Sequence, residues 1–148
     1  MMGKRSDFER VKNDFYPTPY KAVVPLLRHL EAGTTYCEPC AGDGALIKHL
    51  EPFVCTACYD IAPQAPWMGT LDASFLVPSD LNGASHIITN PPWERDPLHQ
   101  IIERCSTLAP TWLLFDADWM HTRQSQPYMP IDRKSTRLNS SHRCISYA

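Results

Sequence analysis

No stretch of this chain approaches the roughly 18 consecutive apolar residues that a membrane-spanning helix needs, and the opening MMGKRSDFERVKNDF is charged throughout, without an apolar signal core. A membrane or secreted protein is thereby disfavoured, and a cytoplasmic one is expected. Positive charge is also scarce. Fourteen Lys and Arg stand against sixteen Asp and Glu, a net charge of −2, which argues against a broadly basic nucleic-acid-binding surface. Residues 133–148 contain no acidic residue and hold Arg133, Lys134, Arg137 and Arg143, so residues 1–132 keep ten cations against sixteen acids, a balance of −6. Internal repeats are lacking as well. What is present is 148 residues, 43% of them hydrophobic, enough for one globular core and too few for two. The six cysteines, with no secretion signal, read as reduced thiols or metal ligands rather than a disulfide framework.

The last segment, RKSTRLNSSHRCISYA, is rich in Ser and Arg and has no apolar period of 2 or 3.6. It has the look of a translated adapter or vector fragment. Residues 132–148 are therefore expected to be a non-native or disordered tail, and residues 1–131 a partial domain whose sheet lacks its last strands.

Along the body, YPTPYKAVVPLLRHL opens a helix with Thr18 as expected N-cap and Pro19 at the first helical position, to be kinked or split at Pro25. TTYCEP is a short β-prone run, and GALIKHL is helical in composition. FVCTACYDI is a strand ending at Asp60, a very short strand precedes Asp72, and Ile87-Ile88-Thr89 in SHIITNPPW is a buried strand stopped by two prolines. DPLHQIIERCSTL follows with Asp96 as expected N-cap, Pro97 at the first helical position, and Leu98, Ile101, Ile102, Cys105 and Leu108 at helical spacing. TWLLFDAD is a further apolar strand. Alternating strands and helices predict a doubly wound α/β sheet, and the fourteen prolines predict long ordered loops.

Such sheets bind ligands at the carboxyl ends of their strands. There the chain offers Glu38 and the loop to Gly44, then Asp60, Asp72 and Asn90-Pro91-Pro92-Trp93. The first loop has a second reading. Cys37 with Cys40, and Cys55 with Cys58, have the spacing of a four-thiolate zinc site and would make a non-enzymatic zinc or interaction module.

In order, FYPTP, YCEPCAGDGAL, YDI, LDA and IITNPPW resemble the class I S-adenosylmethionine-dependent methyltransferases, specifically the DNA N6-adenine type found in phages and bacteria. The resemblance covers about residues 14 to 121, with NPPW its most specific element. It implies a Rossmann-like sheet and S-adenosylmethionine as cofactor. By resemblance, Gly42 and Gly44 admit the methionine moiety, Glu38 contacts its amino group, Asp60 binds the ribose hydroxyls and Asp72 the adenine amine. Thr18 and Pro19 match the element that closes over the methionine end. With that assignment the cysteine spacing becomes a by-product of neighbouring strands, because a zinc ribbon has no use for GDGALIKHL between its knuckles.

The chemistry gives NPPW its sense. An amine conjugated to an aromatic ring is a poor nucleophile, and hydrogen bonds from its NH2 to Asn90 Oδ1 and the Pro91 carbonyl would localise the lone pair. Pro91 and Pro92 hold those acceptors rigidly, and Trp93 offers a flat face to a base swung out of the duplex. Methyl transfer is then expected by direct in-line displacement, with DNA as partner and no metal. RNA adenine or a protein glutamine amide would suit the same acceptors, and the acidic body fits the amide somewhat better. In FDADWMH, Asp116, Asp118 and His121 read as turn and cap residues, with Asp118 and Trp119 candidates for shaping the base pocket.

Overall fold

The computed structural model describes residues 17–116, 123–128, 134–137 and 143–147. Five parallel strands form its centre: β1 (Thr35–Glu38), β2 (Val54–Asp60), β3 (Gly69–Thr70), β4 (His86–Thr89) and β5 (Thr111–Asp116). Three helices accompany them: α1 (Tyr20–Leu27), α2 (Ala45–His49) and α3 (Arg95–Leu108). Two further strands, β6 (Lys134–Arg137) and β7 (Arg143–Tyr147), complete a sheet of order β3-β2-β1-β4-β5-β7-β6, with β7 antiparallel to both neighbours. No helix among the described residues is long and apolar enough to cross a membrane.

Successive residues of the central strands face opposite sides, as a period of two requires. Tyr36, Ile88, Trp112 and Leu114 join Ala22, Val23 and Leu26 of α1 and Leu46 of α2 in one buried cluster. Cys37 and Ile87 join Ile101 and Cys105 of α3, with Ala73, Leu76 and Leu81, in a second cluster. Both faces of the strands are covered, which is why Ile87 and Ile88 are apolar in succession rather than alternating with polar residues.

Several sequence expectations shift. Thr18 does not cap α1: the N-cap is Pro19, without a side-chain cap bond, and the helix starts at Tyr20. The expected split at Pro25 is not seen: Pro25 lies inside a helix assigned without interruption from Tyr20 to Leu27. Likewise α3 is capped at Glu94, placing Asp96 and Pro97 second and third in the helix. The proline still lies in the first turn, where no helical acceptor awaits its N–H. Five parallel strands agree with a class I sheet short of its last strands, and the segment after residue 132 adds an antiparallel pair at its edge. There β7 pairs with β5 from Trp112↔Tyr147 to Asp116↔Arg143. An edge strand recruits a partner through its main-chain N–H and C=O groups, so pairing there does not require an apolar period.

Between the two halves of the sheet the chain turns through Asn82 (φ 48°) and Gly83 (φ 79°), both exposed, and a Cβ at Gly83 would meet nothing within 4 Å.

Candidate functional site

Strands β1 and β4 are parallel neighbours whose onward connections run in opposite directions, β1 toward β2 and β4 toward β5. Their carboxyl ends therefore flank the crevice at the topological switch point. Glu38 ends β1 and Thr89 ends β4, both fully buried. Glu38 Oε1 accepts hydrogen bonds from the Cys40 N–H (2.8 Å) and from the Thr89 hydroxyl. Its Oε2 is buried and makes no hydrogen bond. Burial pushes the carboxyl up to about 8, although the hydrogen bonds from Thr89 and from the Cys40 backbone pull the other way. A buried oxygen without a donor is costly. A hydrogen-bond donor would relieve it, and an ammonium group is one that the chemistry of a carboxylate suits.

The loop leaving β1 is tied across to β2. The Ala41 N–H donates to the Tyr59 carbonyl (2.8 Å) and the Gly42 N–H to Asp60 Oδ2 (2.8 Å), while Asp60 Oδ1 accepts from the Ala62 N–H (2.8 Å). Each Asp60 oxygen thus holds one backbone donor and fixes the loop's path. Gly44 (φ 87°) precedes α2 in the left-handed region, and a Cβ there would lie 2.8 Å from the Trp67 ring. Only glycine satisfies both demands. Asp72 caps a short 3₁₀ turn, Ala73–Phe75, with Oδ1 accepting from the Ser74 N–H (2.9 Å) and hydroxyl (2.7 Å).

Asn90 follows β4 directly, and its Nδ2 donates to Thr18 Oγ1 at 3.0 Å. Pro91 is buried and Pro92 half-buried. Trp93 is half-buried, and its indole N–H donates to the Leu114 carbonyl of β5 at 3.4 Å. The fold thus brings Thr18, Glu38, Asn90 and Pro91 together, with Gly42 and Asp60 on the β2 side. Asp72 lies beyond β3, and Pro19 is exposed beside Thr18. Asp118, Trp119 and His121 lie outside the described residues; Asp116 ends β5.

Three contributors escaped the sequence reading: Thr89, His49 and Trp67. Thr89 had a signal, a polar residue closing a buried apolar strand. His49, whose Nε2 donates to the Thr18 carbonyl at 2.9 Å, and Trp67 over Gly44 had none, since both contacts join distant segments.

The cysteines do not gather. Tyr36 pairs with Cys55, and Glu38 with Cys58, so Cys37 has Ala57 as its neighbour. Among the described residues no three His, Cys, Asp or Glu side chains lie close enough to share a metal ion. Burial raises the Cys37 and Cys40 thiols far above their ordinary value, and Cys55 and Cys105 to about 12.

No protein-family model and no curated protein sequence matches the chain. Solved structures do. A mitomycin 7-O-methyltransferase superposes with TM-score 0.60 at 10% identity, over 86% of this chain and 52% of that one, so the match spans about half the enzyme's length. An S-adenosylmethionine-dependent methyltransferase from Clostridium acetobutylicum gives 0.58 at 10% identity, over 95% and 92%. A protein from Lactococcus lactis described as a candidate hemolysin gives 0.63 at 10% identity, over 86% and 85%. At such low identity the likeness is one of architecture: the chain has the Rossmann-like α/β fold of the class I S-adenosylmethionine-dependent methyltransferases.

Proposed function

We propose that this protein methylates the N6 amine of adenine in DNA. S-adenosylmethionine, when bound, supplies an electrophilic methyl group on a sulfonium. The observation that carries the reading is the adjacency, at the switch point, of a buried carboxylate oxygen without a donor, Glu38 Oε2, and the Asn90-Pro91-Pro92-Trp93 turn. Glu38 would hold the cofactor's ammonium, Asp60 the ribose hydroxyls and Asp72 the adenine of the cofactor. Gly42 and Gly44 would let the main chain approach the methionine end.

On the substrate side, Asn90 Oδ1 and the Pro91 carbonyl are acceptors suited to the two hydrogens of a planar NH2. Both bonds strengthen as the nitrogen gains positive character, which is the condition for an interaction to raise a rate rather than only tighten binding. The prolines fix the acceptors before the amine arrives, so little ordering cost is left for the encounter. Trp93, tethered through its N–H to β5, would present its ring to the base.

The test has two stages. Calorimetric titration with S-adenosylhomocysteine asks whether the cofactor class is right, and absence of binding overturns the proposal. Transfer of labelled methyl groups is then measured on adenine-containing DNA, RNA and a glutamine-containing peptide in parallel. Label recovered as N6-methyladenine in DNA is the expected result. Label found only in RNA or peptide would overturn the choice of DNA while retaining the chemistry.

A further inference from the structure

We propose that Thr18 is a positioning residue for the acceptor end of this site, setting the orientation of the Asn90 amide through its hydroxyl. The inference rests on the proposed amine chemistry and assigns Thr18 a role other than contact with the methionine end.

The Thr18 hydroxyl does not cap α1, which takes Pro19 as its N-cap and receives no side-chain cap bond. Instead, the buried Thr18 side chain accepts from Asn90 Nδ2 at 3.0 Å, across 72 residues of sequence. Thr18 is itself held in place. Its carbonyl can only accept, so the His49 Nε2 that approaches to 2.9 Å carries the proton. The His49 ring in turn meets Tyr20 edge-on, with centroids 5.4 Å apart. The chain from α2 through residue 18 to Asn90 ties the end of β4 to the start of α1.

Such an anchor matters because an asparagine side chain is chemically two-faced. Its nitrogen carries two donors and its oxygen the acceptors, and rotation about the last torsion is soft. A substrate NH2 is a donor. If the amide turned over, Asn90 would point donors at donors and the lone pair would not be localised. In the observed arrangement the Thr18 hydroxyl accepts from the nitrogen end, and Oδ1 is the end that serves as acceptor.

Thr18→Val keeps the shape and removes the hydroxyl, whereas Thr18→Ser keeps the hydroxyl. For Thr18→Val, kcat should fall roughly fivefold to tenfold, the worth of one hydrogen bond, with affinity for S-adenosylhomocysteine within about twofold of wild type by the same measure. Thr18→Ser should recover most of the rate. In an Asn90→Ala background, Thr18→Val should cause no further loss, because the group it acts through is gone. One readout needs no turnover: in ¹⁵N-labelled protein the Asn90 side-chain amide resonance, identified by its disappearance in Asn90→Ala, should move in Thr18→Val and return in Thr18→Ser. Thr18→Ala supplies the same comparison should the valine variant fail to fold. Cofactor affinity falling in step with kcat, an additive loss in the Asn90→Ala background, or an unmoved amide resonance would each overturn the inference. Should wild type methylate none of the substrates, the proposed function fails while the resonance still decides the role of Thr18.

Discussion

Replacing Glu38 with glutamine keeps the shape at the floor of the crevice and removes its capacity for charge. In the free protein burial holds this carboxyl at about 8, so at pH 7 about nine molecules in ten carry the proton. The fold favours the protonated form. Its contribution to stability is fully present below the ordinary value of 4.5 and is lost as the pH rises through about 8. A bound ammonium needs the carboxylate, so S-adenosylhomocysteine binding at pH 7 should expel about 0.9 proton per site. Expulsion costs about 1.4 kcal/mol at pH 7, against roughly 1.5–3 kcal/mol from a charge-assisted hydrogen bond. Glu38→Gln should therefore lose only a few-fold in affinity at pH 7 and about tenfold or more at pH 8.5, where the carboxylate is mostly ionised already. Calorimetry in two buffers of different ionisation enthalpy reads both quantities. Wild type releasing no proton at pH 7, or Glu38→Gln releasing as many, would refute the assignment of the ammonium to Glu38.

Four further outcomes are expected. Asp60→Ala should weaken S-adenosylhomocysteine binding at least tenfold, roughly the worth of charge-assisted bonds; unchanged affinity would remove Asp60 from the site. Asn90→Ala should keep cofactor binding within a few-fold but lower methyl transfer by about two to three orders of magnitude, whereas equal losses in single-turnover and binding assays would mark Asn90 as structural. Replacing Cys37 and Cys55 with Ala or Val should leave a folded protein, and elemental analysis of wild type purified without added metal should find no stoichiometric zinc; one zinc per chain would revive the four-thiolate reading. Gly44→Ala should lower stability by about 1–2 kcal/mol from its positive φ alone, with Trp67→Ala relieving the accompanying ring collision. Denaturant midpoints that move by the same amount with and without Trp67 would show that the indole does not bear on the loop.

Much of the architecture was written in local chemistry. Short β-branched and aromatic runs bounded by turn residues located β1, β2, β4 and β5, and the apolar spacing of Leu98, Ile101, Ile102 and Cys105 located the buried face of α3. Helix starts moved by a position or two because a proline is tolerated anywhere in a first turn, so its presence marks the turn and not the residue. The acidic residues at strand ends were legible for a topological reason, since parallel sheets deliver those ends to one edge. The partners that organise them were not: Thr18 with Asn90, Thr89 with Glu38 and Trp67 with Gly44 are contacts between segments far apart in sequence.

The exposed left-handed turn at Asn82 and Gly83 is a seam in the division of labour. Glu38, Asp60 and Asp72 precede it, and Asn90-Pro91-Pro92-Trp93 follow it, so under the proposed function one side of the chain would carry the groups for the methyl donor and the other those for the acceptor. A break at this turn would leave two fragments, each chemically half-literate, and the site would exist only after β4 had slotted back beside β1. The fold can thus be treated as a complementation pair, in which methyl transfer, if the proposed function holds, would report that the fragments have met, and the natural loop supplies a tolerant place to divide or rejoin them.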